Sequence, residues 1–177
     1  MTADRKRFIK SATTSTPVGN SKAELERLLT RYGCKSFAVQ HDYAANLSTV
    51  TFVVPDSLEK GAADIPIQLD VNARAVYDAM FGQPTRWTSN GRVFDPKLYR
   101  EKELAQAERV AWRQVLLWVD AALSAAAAGV QPISEAFFAQ TLIRDPKTGG
   151  MTRIVDQVNQ LAPGGSWKAL LPSRAGA

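Results

Sequence analysis

The sequence predicts an α+β protein, with an N-terminal helix and a three-stranded antiparallel sheet followed by a long helix and a helical C-terminal half. Three observations support this fold class. Residues 21–32 carry leucines three and four positions apart, the spacing of one buried helix face. Residues 37–69 contain three runs in which apolar and polar residues alternate, as in strands with one buried face. Residues 96–128 have a helical pattern that would extend roughly 50 Å at about 1.5 Å per residue.

The first helix is expected to begin at Ser21 and to end before Gly33. Ser21 and Glu24 have the spacing of a capping box, in which two side chains satisfy unpaired backbone N–H groups. Glycine is favoured just after a helix because it tolerates the left-handed backbone conformation. The preceding residues, 1–20, are expected to form a disordered basic arm. Residues 21–172 are expected to form a single α+β domain, followed by a flexible tail over residues 173–177.

The three strands are predicted to form an antiparallel meander. The first places the odd-numbered residues of 37–43 on one face, and a hairpin loop over residues 44–47 joins it to the second. The second strand has apolar even-numbered residues over 50–54. The third spans residues 65–69, and Pro66 favours an edge position because proline cannot donate a backbone hydrogen bond.

The rest of the chain reads mainly as helices. Asn72 is predicted to cap a short helix that stops at Gly82, and residues 83–94 are expected to be irregular. Asp95 and Pro96 are typical first residues of a helix, so the long helix is expected to begin there and to run to residue 128.

Three further segments follow the long helix. Pro132 is expected to begin a helix that continues to Leu142. Residues 144–150 are predicted to form a turn, and residues 152–161 a last short helix.

Composition excludes several classes of function. The chain has one cysteine, which cannot form an intramolecular disulfide and fits a reducing, intracellular setting. One histidine and one cysteine cannot build a His/Cys zinc site, and no metal or cofactor is expected. No apolar run approaches the roughly 20 residues that span a bilayer, so no membrane partner is expected. Nucleotide-binding glycine motifs and the serine-hydrolase motif are not found.

The formal net charge of +5 is concentrated at the two ends of the chain. Residues 1–10 contain four basic residues and one acidic residue, and residues 147–177 again contain four and one. The 136 residues between them contain 14 basic and 15 acidic side chains, a net charge of −1. The predicted domain is therefore nearly neutral, and a nucleic-acid partner would have to be attracted by the ends and by local clusters.

Basic and aromatic residues mark the candidate binding sites. The segment 86–92 suits phosphate contacts and base stacking, but it also suits a protein interface or a loop that buries Trp87 and Phe94. The long helix adds arginines, and it carries Trp118 on a different face from Trp112. Of these two tryptophans, Trp118 is chosen as the interface residue. The candidate residues are Arg5, Lys6, Arg7, Lys10, Arg86, Trp87, Asn90, Arg92, Arg109, Arg113 and Trp118.

Two catalytic interpretations are weighed beside these binding sites. His41 could act as a general base paired with Asp42 or Asp70, although a partly buried histidine at the end of a sheet is the more ordinary interpretation. Asp56, Asp64 and Asp70 could hold a magnesium ion in a nuclease, although solvated carboxylates explain them equally simply. No residue is assigned a catalytic role.

Several short motifs follow one another in a specific order. They are Arg31-Tyr32-Gly33, Ala111-Trp112-Arg113, Phe137-Phe138-Ala139 and Leu170-Leu171-Pro172. This order resembles that of a family of small uncharacterised phage and prophage proteins over most of residues 18–172, and it departs from the family in residues 56–95. The resemblance implies a mobile-element protein in the cytoplasm of a bacterial cell. The family carries no established activity, so it assigns no catalytic residue.

These features predict a non-enzymatic phage or mobile-element accessory protein that acts by binding, first of all to nucleic acid in replication or recombination. The alternative is an anti-defence inhibitor, similar to anti-CRISPR proteins, that binds a host protein complex. A magnesium-dependent nuclease is the weaker alternative. The length of the helix over residues 96–128 favours a second copy of the chain as a cover, and hence a homodimer.

Overall fold

Two helices cover one face of a three-stranded antiparallel sheet in the computed structural model, which describes residues 9–56, 62–145 and 148–161. The elements follow the order predicted for an α+β protein, and this fold class is confirmed. They are α1 (Val18–Arg31), β1 (Ser36–Asp42), β2 (Leu47–Pro55), β3 (Asp64–Asn72), α2 (Ala73–Phe81), β4 (Thr85–Thr88), β5 (Gly91–Phe94), α3 (Glu101–Ala127), α4 (Ile133–Ala136), β6 (Leu142–Arg144), β7 (Met151–Arg153) and α5 (Ile154–Leu161).

The sheet has the predicted meander topology, with β2 between β1 and β3. Phe37 lies opposite Phe52, and Phe52 lies opposite Ile67 on the other side. Even-numbered residues of β2 are buried and its odd-numbered residues are partly exposed, as the alternation indicates. The edge position predicted from Pro66 in β3 is also confirmed.

The core lies between the buried face of the sheet and helices α1 and α3. Trp112 and Leu123 of α3, Leu25 of α1, and Phe52 and Val50 of β2 are all fully buried in one cluster. Burial of these large apolar side chains supplies the main driving force for docking the two helices on the sheet.

Helix α1 differs from the prediction at its first residue. It begins at Val18 with Pro17 as N-cap, three residues earlier than the expected Ser21. Ser21 is fully buried inside the helix, and the Ser21–Glu24 capping box does not form. The other end is as predicted, because Gly33 adopts a left-handed backbone conformation with φ of 77°.

The segment before α1 also differs from the expected disordered arm over its described residues, 9–17. The side-chain amide of Gln106 in α3 donates hydrogen bonds to the carbonyls of Ala12 and Thr14 at 3.1 and 3.0 Å. The amide of Gln114 in the same helix donates to the carbonyl of Lys10. This stretch is therefore held on α3. Residues 1–8, with the rest of the predicted arm, lie outside the described residues, as does the predicted tail over residues 173–177.

The short helix α2 is confirmed, whereas the long helix is shorter than predicted. The Asn72 side chain accepts a hydrogen bond from the Ala75 N–H and caps α2, which ends before Gly82. Asp95 and Pro96 begin only a single 3₁₀ turn over Pro96–Leu98. Tyr99 is extended there, and α3 starts at Glu101. Asp95 caps this turn, as its sequence predicts, but the chain does not continue from the turn into the long helix.

Three segments contain structure that the sequence pattern does not reveal. Residues 83–94 were expected to be irregular, but strands β4 and β5 form a hairpin there. The helix expected from Pro132 to Leu142 is reduced to α4 and a 3₁₀ turn over Phe138–Gln140. Strands β6 and β7 pair as a second hairpin around the predicted turn at 144–150, of which residues 146–147 lie outside the described residues, and α5 follows directly. These strands have three or four residues, too few to display an alternation.

The two tryptophans of α3 provide a test of this core. Trp112 is fully buried, and the Trp118 side chain is 39% exposed. We expect Trp112→Ala to lower the free energy of unfolding by about 3–5 kcal/mol, because it leaves a large cavity. Trp118→Ala, the matched control, should cost about 1 kcal/mol. Urea denaturation measures both values, and similar losses for the two variants would contradict the proposed core.

Candidate functional site

The β4–β5 hairpin presents a cation and an aromatic ring to solvent. Trp87 and Arg92 are directly paired across the hairpin. The Arg92 guanidinium lies over the Trp87 ring, 5.7 Å from its centre, yet Trp87 is 77% exposed. The alternative in which this segment buries Trp87 and Phe94 is therefore wrong, since Phe94 is also exposed at 45%. A large exposed aromatic ring held beside an arginine can stack on a planar ligand.

The hairpin is held in place by its turn and by the residues at its base. Two residues form the turn, Gly91 follows with φ of 107°, and the Thr88 hydroxyl donates to the Gly91 carbonyl. At the base, Asp95 donates its N–H to the Pro84 carbonyl and lies 3.4 Å from the Arg86 guanidinium. Residues 84–98 contain three basic residues and one acidic residue, so the hairpin and its base carry a net charge of +2.

A cluster of tyrosines connects the hairpin to the helices. Phe94 packs edge-to-face on Tyr99, and Tyr99 packs edge-to-face on Tyr77 of α2. The Tyr77 hydroxyl donates to Glu103 of α3 at 2.8 Å, and the Tyr99 hydroxyl donates to Asp78 at 3.2 Å. Burial raises the pKa of both tyrosines, and the adjacent carboxylates raise it further. Both tyrosines therefore remain neutral hydrogen-bond donors. The hairpin packs, through Phe94, on a cluster that these hydrogen bonds hold in place.

A second site lies at the end of the sheet next to α1. His41 of β1 is directly opposite Ser48 of β2, and its Nδ1 lies 2.8 Å from the Ser48 Oγ. The Nε2 atom of the same ring lies 2.7 Å from the Lys22 Nζ of α1. The Lys22 ammonium also lies over the Trp112 ring, 4.7 Å from its centre. These side chains form one chain of hydrogen bonds along the wall of a cavity of about 280 Å³.

The direction of these hydrogen bonds follows from Lys22. A protonated lysine has donors only, so the His41 Nε2 must accept from it. The proton of the neutral ring then resides on Nδ1 and is donated to the Ser48 hydroxyl oxygen. A ring in this state cannot remove the Ser48 proton through Nδ1. The arrangement is thus the reverse of a nucleophile activated by a histidine base.

His41 does not have the partners expected for a general base. Asp42 accepts a hydrogen bond from the Ala45 N–H in the β1–β2 turn, and Asp70 forms an ion pair with Arg153 at 2.7 Å. The pairing of His41 with either aspartate is therefore not formed. His41 is partly buried at the end of the sheet, as the ordinary interpretation states.

The same cavity contains groups of both charges. Glu108 of α3 lines it and is partly buried, and it has no hydrogen bond or ion pair within the described part of the chain. Burial lowers the pKa of Lys22, and the charge of Glu108 counteracts this effect. Tyr43 is 86% exposed at the cavity and stacks on His41, with the ring centres 5.7 Å apart. The cavity therefore offers donors, a carboxylate acceptor and a flat aromatic wall.

The predicted residues of the long helix are separated from the hairpin. Arg109 hydrogen-bonds to Gln106, the residue that holds residues 12–14, and Arg113 pairs with Glu24 of α1 at 2.6 Å. Trp118 is the more exposed tryptophan of α3 and packs edge-to-face on the buried Phe137. Arg113 and Trp118 therefore contact other elements, whereas the hydrogen bonds of Arg109 stay within α3.

The remaining predicted residues lie in three places: the turn of the β4–β5 hairpin, the segment before α1, and residues 1–8, which are outside the described residues. Asn90 is exposed in the turn between β4 and β5, and Lys10 is exposed where its carbonyl meets α3. Arg5, Lys6 and Arg7 lie outside the described residues. The structure thus brings together only Arg86, Trp87, Asn90 and Arg92 of the predicted set.

The three carboxylates of the nuclease hypothesis do not meet at one point. Asp64 and Asp70 lie at opposite ends of β3, about 20 Å apart at 3.3 Å per residue. Asp64 pairs with Lys35, Asp70 with Arg153, and Asp56 accepts from the Ser134 N–H. Over the described ranges, no group of three histidine, cysteine or carboxylate side chains could hold a metal ion.

Comparisons with protein-family models, curated proteins and solved structures find no match for this chain. The resemblance to phage proteins stays a prediction. None of the helices in the described ranges has both the length and the apolar character needed to cross a membrane.

Lys22, Ser48 and Glu108 were not identified as candidates from the sequence. The predicted loop over residues 44–47 would have placed Ser48 opposite Tyr43, whereas the observed register, with a loop over residues 43–46, places it opposite His41. Glu108 interrupts the apolar stripe of α3, four residues from both Leu104 and Trp112, which puts a carboxylate on a largely buried face. Lys22 had no local signal, since its partner lies 19 residues away in another element.

Because the chain has one histidine, the hydrogen-bond chain can be tested directly. We expect the neutral His41 ring to carry its proton on Nδ1, since Lys22 occupies Nε2. Imidazole ¹⁵N shifts at alkaline pH distinguish the two tautomers. Lys22→Met should shift the population toward the Nε2–H form. A predominantly Nε2–H ring in the unaltered protein would show that the arrangement is wrong.

Proposed function

We propose that this protein is a non-enzymatic nucleic-acid-binding protein that contacts single strands through the β4–β5 hairpin. The observation that carries the proposal is the exposed Trp87 ring with Arg92 paired beside it. Stacking on an aromatic ring is the general way in which proteins hold unpaired bases, and it is available only where bases are not paired in a duplex. The arginine adds a cation at the position where a phosphate would pass.

The positive charge of the hairpin and its packing on the tyrosine cluster both favour the hairpin as the binding surface. Arg92 lies over the exposed ring, Arg86 and Lys97 add positive charge to the same hairpin and its base, and Asp95 is the only acid of residues 84–98. Arg92 has no carboxylate partner among the described residues, so its charge remains available to a phosphate. The tyrosine cluster below restricts movement of the hairpin, which lowers the entropy lost on binding. In this proposal the resemblance to phage proteins assigns the activity to a phage or prophage context, in replication or recombination.

A host protein complex is the second candidate partner. Val93 and Phe94 in the same hairpin and Leu98 at its base are also exposed, and each is between 44 and 46% accessible. Apolar and aromatic side chains clustered with arginine are typical of the centre of a protein interface. An anti-defence inhibitor would use the hairpin in this way, with little affinity for nucleic acid and weak dependence on salt.

The hairpin can be tested with a matched pair of tryptophans. We expect Trp87→Ala to weaken binding of a fluorescent single-stranded oligothymidine about tenfold, the loss typical of one stacked base. Trp118→Ala, which removes a partly exposed tryptophan elsewhere, should leave affinity unchanged. Arg92→Gln should reduce the slope of log affinity against log salt by about 0.7. Fluorescence anisotropy over a salt series measures all three.

Two results would contradict this proposal. One is equal binding by Trp87→Ala and the unaltered protein. The other is no binding to single strands at low salt, where electrostatic attraction is strongest. In the second case, retention of a host protein complex by the unaltered protein but not by Trp87→Ala would favour the inhibitor.

A further inference from the structure

We propose that the cavity between α1, α3 and the β1–β2 turn binds a guanine base through Lys22 and Glu108, with the ring resting against Tyr43. This inference rests on the proposed function, because it names the base that a bound single strand would present at a second point. The cavity has a volume of about 280 Å³ and is lined by side chains of both charges. It accommodates one planar base.

Glu108 is the first reason to expect a ligand. Its carboxylate is partly buried in the cavity wall, and within the described ranges it accepts no hydrogen bond and forms no ion pair. The Lys22 ammonium attracts it across the cavity, but its two oxygens have no hydrogen-bond donor among the described residues. A ligand with two adjacent N–H donors would satisfy both of its oxygens.

Lys22 supplies the complementary group. One of its three donors is directed to the His41 Nε2, and its ammonium lies against the Trp112 ring. The side chain is thereby held in place at the cavity wall, with donor capacity left for a ligand oxygen. Ser48, which accepts from His41, also keeps its own hydroxyl proton available.

Only one of the common bases matches this order of groups. The Watson–Crick edge of guanine presents an acceptor, O6, followed by two donors, N1–H and N2–H. These would face Lys22 and the two oxygens of Glu108, respectively. Cytosine and adenine offer a single donor group next to an acceptor, and uracil and thymine have one donor between two acceptors. Each of these would place a lone pair against a carboxylate oxygen, where two acceptors repel each other and form no hydrogen bond.

Aromatic side chains at the cavity favour a flat ligand over an aliphatic one. Tyr43 is 86% exposed, and its ring is inclined by only 25° to that of His41. A planar ligand stacked on the exposed face of Tyr43 would bury apolar ring surface that now contacts water. Arg74 donates to the Ala44 carbonyl in the β1–β2 turn and also lies over the Tyr99 ring. One side chain therefore contacts both the β1–β2 turn and the cluster below the β4–β5 hairpin.

The test uses oligothymidine with a single central guanine, hypoxanthine, adenine or cytosine, and measures fluorescence anisotropy. We expect guanine to bind about tenfold more tightly than adenine or cytosine, the range given by one bidentate contact. Hypoxanthine, which lacks the N2 amino group, should be intermediate. Glu108→Gln should abolish the preference, whereas Glu101→Gln, an exposed change on the same helix, should retain it. Circular dichroism confirms that both variants are folded.

A second measurement is independent of the hairpin. Guanosine monophosphate should shift the imidazole ¹⁵N signals of His41, and adenosine monophosphate should not. The guanine inference is overturned if the central base makes no difference, if Glu108→Gln keeps the preference, or if guanosine monophosphate leaves His41 unchanged. Oligothymidine binding that depends on Trp87 would then still support the proposed function. Conversely, guanosine monophosphate binding without any oligonucleotide binding would refute the proposed function alone.

Discussion

Packing of α3 against the buried face of the sheet is the constraint on which both candidate sites depend. Trp112 anchors the middle of this helix in the core, and its ring supports the Lys22 ammonium. One end of the same helix provides Glu103, which accepts from Tyr77 below the hairpin. Glu108 lies between these two positions and faces the cavity. A single rigid element thus positions the cavity and the support of the hairpin together.

The Lys22–His41–Ser48 chain shows why contact between residues is not enough to define a chemical role. Serine and histidine lie within hydrogen-bond distance, as they do in hydrolases. The third residue, however, is a donor and not a carboxylate. A donor at Nε2 places the imidazole proton on the side of the serine, so the ring donates where a base would accept. The chain is suited to holding side chains in place beside a ligand.

Local signals explain the parts of the fold that could be predicted. Alternation in β2 and β3 is long enough to reveal the buried face, and the backbone conformation at Gly33 and Gly82 depends only on the adjacent residues. The β4–β5 hairpin could not be found in this way. Its strands have four residues each, which is too short to show an alternation of apolar and polar residues. Trp87 faces solvent, so it does not mark a buried face, and the neighbouring residues do not reveal this exposure. The hairpin is held instead by the contact of Phe94 with Tyr99, whose ring packs on Tyr77 of α2, 22 residues earlier in the chain.

The amino-acid sequence by itself determined the α+β class, the strand order and the presence of a cation–aromatic cluster, because these depend on periodicity and composition over neighbouring residues. Only the tertiary structure decided that Trp87 is exposed, that Arg113 pairs with Glu24 of another helix, and that Lys22, Ser48 and Glu108 share a cavity. These facts depend on which distant elements come into contact. The free energy of those contacts comes from burial of the common core, to which each segment contributes only part.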